Sequence, residues 1–377
     1  MAPFWRRHPT DVGGVRPHPD GVHPYAVHLY GAGIERFWAR WGHARAELAD
    51  TLADTLADTL ADTLADEATP QARARLEAEV GQIDPGLTCH LGPGVRSRYM
   101  LVVSGARHPA LRVVAERWRR AGPPDDTDWE FHPAMPAEPA AFEALVLVAG
   151  IRLEPAEALA LVRLDDLRFR MDVSVFHPAF ARLDQGARTQ VANILVGWAL
   201  GEDDADRWLG QVDVTTTCPL DAVPVSTMGG LMAQLVARWG EERWATLEGT
   251  FGRSRLVDTV RHPLRRVDYP LFDEHLAVRL PYRAAEADGQ PDPAVEADLT
   301  AIREALVDRL GPDAILVATQ TAGGERLLHF YADSTASPVE AIRSALAASA
   351  ADDAGVQVTY DPGWDGVDHL RVVSDPD

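Results

Sequence analysis

Residues 314–333 read AILVATQTAGGERLLHFYAD. Two runs rich in β-branched and aromatic side chains flank Ala322-Gly323-Gly324, and glycine there supplies the positive φ that a tight hairpin turn requires. The stretch therefore predicts two antiparallel strands, and its flanks decide how they are used. Upstream, VEADLTAIREALVDRLG (295–311) sets Leu299, Ile302, Leu306 and Leu310 on one helical face, and HLAVRLPYR (275–283) before it reads as a strand. Downstream, PVEAIRSALAAS (338–349) is helical and VQVTYDP (356–362) extended. The order βαββαβ predicts a ferredoxin-like split-βαβ unit.

The same order is readable further upstream. SRYMLVVSG (97–105), TDWEFHP (127–133), LRFRMDVSVFHP (167–178) and WLGQVDVTTT (208–217) read as strands. The segments ALRVVAERWRRAG (110–122) and RTQVANILVGWALG (188–201) read as helices between them, and a further helix is expected over 227–240. Residues 134–165, rich in Ala, Pro and Glu, read as a helical insertion plus a short strand. The expected fold is α+β: two tandem ferredoxin-like βαββαβ units preceded by a helical arm. Its divisions are an irregular arm over 1–24, a helical arm over 25–80, a first ferredoxin-like domain over 81–250 and a C-terminal one over 251–377.

Within the arm, Ile34, Phe37, Trp38 and Trp41 recur at i, i+3, i+4 and i+7, the spacing of a packed helix. The block TLADTLADTLADTLAD (51–66) continues it. Leucines every four residues on a 3.6-residue turn rotate by about 40° per step, so their stripe walks around the helix instead of holding a seam. The aspartates at the same spacing form a like-charge ladder costing a few tenths of a kcal/mol per pair. The block reads as a tolerated repeat in an exposed helix, and homo-oligomerisation through the N-terminal helix is the functional alternative.

Composition narrows the function classes. A net charge of -21 disfavours nucleic acid and anionic membrane surfaces, both of which call for a basic face. No stretch approaches 18 uninterrupted apolar residues, so no membrane span is expected. All 36 basic residues are arginine, which excludes a P-loop lysine and Schiff-base chemistry. Two cysteines, Cys89 and Cys218, make no disulfide framework, and a cytoplasmic location is expected. No cofactor is expected, since neither GxGxxG nor a P-loop occurs.

The C-terminal third is similar to a bacterial family catalogued as domain of unknown function 695. The likeness rests on DGQPDPAVEADLTAIREALVDRL (288–310), ILVATQTAGGERLLHFYADS (315–334) and DPGWDGVDHL (361–370). Members of that family resemble the regulator of ribonuclease E activity B, an acidic protein that inhibits a ribonuclease by binding it. The resemblance implies a ferredoxin-like fold and a binding role, and it transfers no active-site residue.

Within DPGWDGVDH (361–369), Trp364 sits in a glycine-loosened turn among Asp361, Asp365, Asp368 and His369. An aromatic ringed by acid is what an interface anchor for a basic partner looks like. The competing reading has Trp364 tucked over the core as a lid. A hydrolase reading takes Ser104 as nucleophile, His177 as base and Asp172 or Asp203 as orienter, although VVSGA is no nucleophile elbow. Histidine precedes proline seven times, which marks strand ends and loop starts. Metal sites at Cys89, His90 and Cys218, or at Glu202, Asp203, Asp204 and Asp206, lack converging geometry, so no metal is expected. The leading expectation is a non-catalytic, regulatory or immunity-like protein whose acidic surface engages a basic protein partner.

Overall fold

The computed structural model describes residues 24–58, 70–239, 243–283, 286–348 and 353–371. The chain divides into two compact units, one built on Leu29–Glu241 and the other on Glu242–Val373. The boundary falls ahead of the strand that starts at Arg243, because that strand pairs within the second unit.

The first unit opens with helices α1 (Pro24–Asp58) and α2 (Pro70–Gly81). The TLAD block is helical as far as Asp58, and its remainder lies outside the described residues. Strands β1 (Thr88–Pro93) and β2 (Tyr99–Ser104) pair antiparallel. Helix α3 (Pro109–Ala121) then returns the chain to β3 (Trp129–His132), which lies parallel to β2. One face of this sheet packs on the helices. Ile34, Phe37, Trp41, Leu76 and Val80 share a core with Tyr99, Leu101, Val103, Trp118, Trp129 and Phe131. The helical arm is therefore part of this core. The Trp38 and Trp118 rings stack at 4.9 Å, and Trp38 Nε1 donates to the Trp118 carbonyl at 2.8 Å. Aromatic pairs of this kind contribute about 1 kcal/mol each beyond their burial.

The region read as an insertion holds a small hairpin, β4 (Val146–Val148) with β5 (Ile151–Leu153), and then β6 (Leu159–Asp165). Strand β7 (Arg170–Phe176) pairs antiparallel with β6, α4 (Gln185–Trp208) crosses over, and β8 (Leu209–Thr215) returns parallel to β7. A two-residue β9 (Val223–Pro224) edges β6, and α5 (Met228–Trp239) closes the unit. Met171, Val173 and Val175 face a core completed by Val191, Leu195, Trp208 and Met232.

These pairings correct the expected N-terminal ferredoxin-like unit. The six expected elements are present, but they belong to two sheets, ordered β1-β2-β3 and β8-β7-β6-β9. A ferredoxin-like sheet keeps its first two strands apart so that the third can pair between them. Here each crossover helix sets its strand directly beside the one before it, β3 on β2 and β8 on β7, and no slot remains. Strands β1 and β6 pair with the other edges of β2 and β7. The unit is thus two successive ββαβ halves of like topology.

The halves are joined through a break in α4. Gly201 has φ +74°, and a Cβ there would lie 2.8 Å from the Ala137 nitrogen. Beyond the break, Glu202 accepts from Ser104 Oγ (2.6 Å), the Arg107 amide (2.9 Å) and the Met135 amide (3.1 Å). Asp203 takes a forked pair from the buried Arg112 at 3.2 and 3.0 Å.

The second unit opens with the hairpin β10 (Arg243–Phe251) and β11 (Ser254–His262), followed by β12 (Phe272–Pro281). Then come α6 (Pro293–Leu310), β13 (Ala314–Ala322), β14 (Glu325–Asp333), α7 (Pro338–Ala347) and β15 (Gly355–Tyr360). Asp292 caps α6 by accepting from the Ala294 and Val295 amides. The six strands form one antiparallel sheet ordered β10-β11-β13-β14-β12-β15. Its four C-terminal strands are ordered β13-β14-β12-β15, with the hairpin added at the β13 edge. Leu299, Leu306 and Leu310 of α6 and Ile342 of α7 pack on Leu276, Val278, Leu328 and Phe330. The architecture is mixed α+β, and no described helix is long and apolar enough to cross a membrane.

Candidate functional site

The added hairpin creates a concave site by simple arithmetic. Six strands at about 4.8 Å spacing span some 25–30 Å, whereas two helices at about 10 Å each cover only four strands. The floor changes character where the cover ends. Under the helices β12 and β14 present Leu276, Val278, Leu328 and Phe330, but β13 and β11 present the register pairs Thr319 with Thr259 and Thr321 with Val257. Between α6 and the hairpin lies a groove of about 750 Å³. Trp244, 47% exposed, lines it from β10, and Val307, 42% exposed, from α6.

The groove's charges are arranged, not scattered. Arg261 sits over the Trp244 ring at 5.3 Å and donates to the Leu316 carbonyl at 3.3 Å. Arg326 forks onto Glu296 at 3.0 and 2.6 Å and donates from Nε to Thr321 Oγ1 at 3.0 Å. Burial works to raise the Glu296 carboxyl, but the bonds and charge of Arg326 outweigh it and hold the group below the usual carboxylate range. On the same wall the exposed Glu304 and Asp308 stand one turn apart beside Val307. The arrangement offers an aromatic shelf, an aliphatic contact and unburied carboxylates facing a hydroxyl-lined floor. It contains no nucleophile paired with a base.

The opposite face of the same sheet carries a buried polar row. Gln320 Nε2 donates to Asp258 Oδ1 at 3.2 Å, His329 Nε2 meets Gln320 Oε1 at 2.9 Å, and His275 Nε2 meets His329 Nδ1 at 3.0 Å. With the Gln320 amide nitrogen donating, its oxygen accepts, so His329 Nε2 carries a proton, and a second proton lies between His329 Nδ1 and His275 Nε2. Burial is the main cause that pulls His275 down to about 4, with Asp361 opposing and His369 assisting. Burial, then Asp273 and Asp333, push Glu274 up to about 7.

The structure places the sequence-predicted residues as follows. Trp364 is 1% exposed, so the expectation of an exposed anchor is corrected: its ring stacks on Tyr331 at 4.4 Å and its Nε1 donates to the Phe272 carbonyl at 2.9 Å. The indole finds more apolar surface against Tyr331 and Tyr269 than any solvent-facing turn offers. Asp361 is buried, accepting from Tyr331 Oη at 2.5 Å and from the Asp365 and Gly366 amides. Asp365, Asp368 and His369 belong to the short helical turn 365–370 that follows. Ser104, His177 and Asp172 are not brought together. Ser104 bonds Glu202; His177 is buried and accepts from the Ala179 amide while its Nε2 bonds the Glu154 carbonyl; Asp172 accepts from the Gln211 amide. Among the described residues no group of His, Cys, Asp or Glu is placed to hold a metal ion.

Sequence reasoning missed Trp244, Arg261 and Val307 of the groove, and His275, Gln320 and His329 of the row. The row leaves a trace: in LLHFY (327–331) a histidine occupies a strand position whose neighbours two residues away, Leu327 and Tyr331, are buried.

Fold and groove together define an α+β protein whose C-terminal unit is a helix-covered antiparallel sheet widened by a hairpin. Residues 259–370, which include most of that unit, match a family of unknown function, DUF695. No curated protein and no solved structure matches the chain.

Proposed function

We propose that the protein is a non-catalytic binding or regulatory protein of the cytoplasm, and that a basic protein partner docks a side-chain-bearing segment in the groove between α6 and the β10–β11 hairpin. We read the C-terminal unit as ferredoxin-like, with the hairpin as the addition that makes the groove. The observation that carries the proposal is Trp244, exposed on one wall opposite the exposed Val307 and flanked by Glu304 and Asp308. Large exposed aromatics beside aliphatic surface are typical binding anchors. The neighbouring carboxylates and the charge of -21 favour a partner segment carrying Arg or Lys beside an apolar side chain. A family of unknown function supplies no activity to transfer.

The test is affinity capture on the full chain at low salt, identification of the captured protein, and titration of that purified protein. Trp244→Ala and the pair Glu304→Arg with Asp308→Arg are expected to weaken it by at least about tenfold, and raising the salt to weaken the wild type. Capture of nothing, or of a protein that binds all these variants equally, overturns the reading.

A further inference from the structure

A second cavity, of about 440 Å³, lies within the first unit at the carboxyl end of β2 and beneath α4. We infer that it takes a small aromatic or aliphatic carboxylate, held at its acid end by Arg107. The size falls in the range of small-ligand pockets. Its walls are Val102, Met135, Ile194 and Trp198, a mixture of aliphatic, thioether and indole surface suited to a flat apolar body.

Most polar groups at the cavity are already engaged, His90 among them. Glu202 is spent on three donors, from Ser104, Arg107 and Met135. Ser104 Oγ donates to Glu202 and accepts from the Ala106 amide at 2.9 Å. Thr88 Oγ1 donates to the Ser104 carbonyl. Burial, with Glu77 assisting, pushes the Cys89 thiol up to about 11, so it is neutral near pH 7 and repels no anion. The Arg107 guanidinium makes no hydrogen bond or ion pair with any described residue, although the Arg107 amide is bound to Glu202. A cation lining a largely apolar cavity is complementary to a carboxylate with an apolar tail.

This backbone is held in an unusual shape. Ala106 and Arg107 have φ of +47° and +67°, and Glu202 bonds the amide of the second. Two consecutive non-glycine residues in the left-handed region persist only where the surroundings hold them.

Calorimetric titration of the full chain with benzoate, octanoate and 2-naphthoate tests the assignment, with 2-naphthylmethanol as the neutral counterpart. At least one acid is expected to bind saturably, and 2-naphthylmethanol at least about tenfold more weakly than 2-naphthoate. Arg107→Gln is expected to remove that preference for acid over alcohol. Gly197 also lines the cavity, and a Cβ there meets nothing within 4 Å, so Gly197→Leu is expected to fill the space and block every probe while leaving the melting temperature intact. No saturable binding by any acid, equal affinity for acid and alcohol, or undiminished binding by Arg107→Gln or Gly197→Leu overturns it.

Discussion

Nε2 of His275 lies 3.0 Å from Nδ1 of His329, with the two rings within 5° of parallel. This contact joins β12 to β14 in the middle of a sheet face. His329→Ala strands a buried Gln320 oxygen and a buried His275 nitrogen, and is expected to cost about 2–4 kcal/mol in denaturant unfolding. A loss under about 0.5 kcal/mol would refute the buried row.

The same histidine sets a pH slope. His275 is held near 4 in the folded chain against 6.5 unfolded, so below pH 6.5 the unfolded state binds the extra proton. Its contribution is complete above pH 6.5 and is lost as pH falls towards 4. His275→Gln is expected to remove this rise of melting temperature with pH across that window.

Glu274, its neighbour, acts with the opposite sign. Its carboxyl titrates at about 7 folded and 4.5 unfolded, so the folded state holds the proton longer and stability falls as pH rises from 4.5 to 7. Glu274→Gln is expected to raise stability by about 3 kcal/mol at pH 8 and to change little at pH 4. Since the two slopes overlap between 4.5 and 6.5, the wild type is expected to be nearly flat there, and each single variant to reveal the other's slope.

Trp364→Ala removes an indole stacked on Tyr331 and bonded to the Phe272 carbonyl, and is expected to cost about 3–5 kcal/mol. Trp244→Ala, by contrast, removes a half-exposed ring with one cation contact and is expected to cost about 1 kcal/mol or less. Comparable losses for the two tryptophans would contradict the assignment of one to the core and the other to the groove.

Much of the fold was legible because its strongest signals are local. The Ala322-Gly323-Gly324 turn and the leucine stripe of α6 dictate their elements from a dozen residues, and both elements are where the spacing puts them. Strand β1, reading TCHLGP, and β10, reading RWATLEGTF, carry little alternation because one holds Gly and Pro and the other is a largely exposed edge. Their absence from the sequence reading had consequences. Strand β1 leaves no local signal of the partner that β2 takes, and without the β10–β11 hairpin the C-terminal sheet reads no wider than its helices, so the groove is invisible. Trp364 was ambiguous for another reason: the ring that covers it, Tyr331, lies 33 positions away in sequence and adjacent only through the sheet.

The bond from Glu202 to the turn after β2 has a bearing on biosynthesis. Almost a hundred residues are translated between Ser104 and its carboxylate partner, so the turn is completed only after synthesis has passed the break in α4 of the second half. A nascent chain released at His132 would hold its Ala106-Arg107 kink without the acceptor that stabilises it. The order of maturation thus runs backwards along the chain at this point, the later half finishing the earlier one.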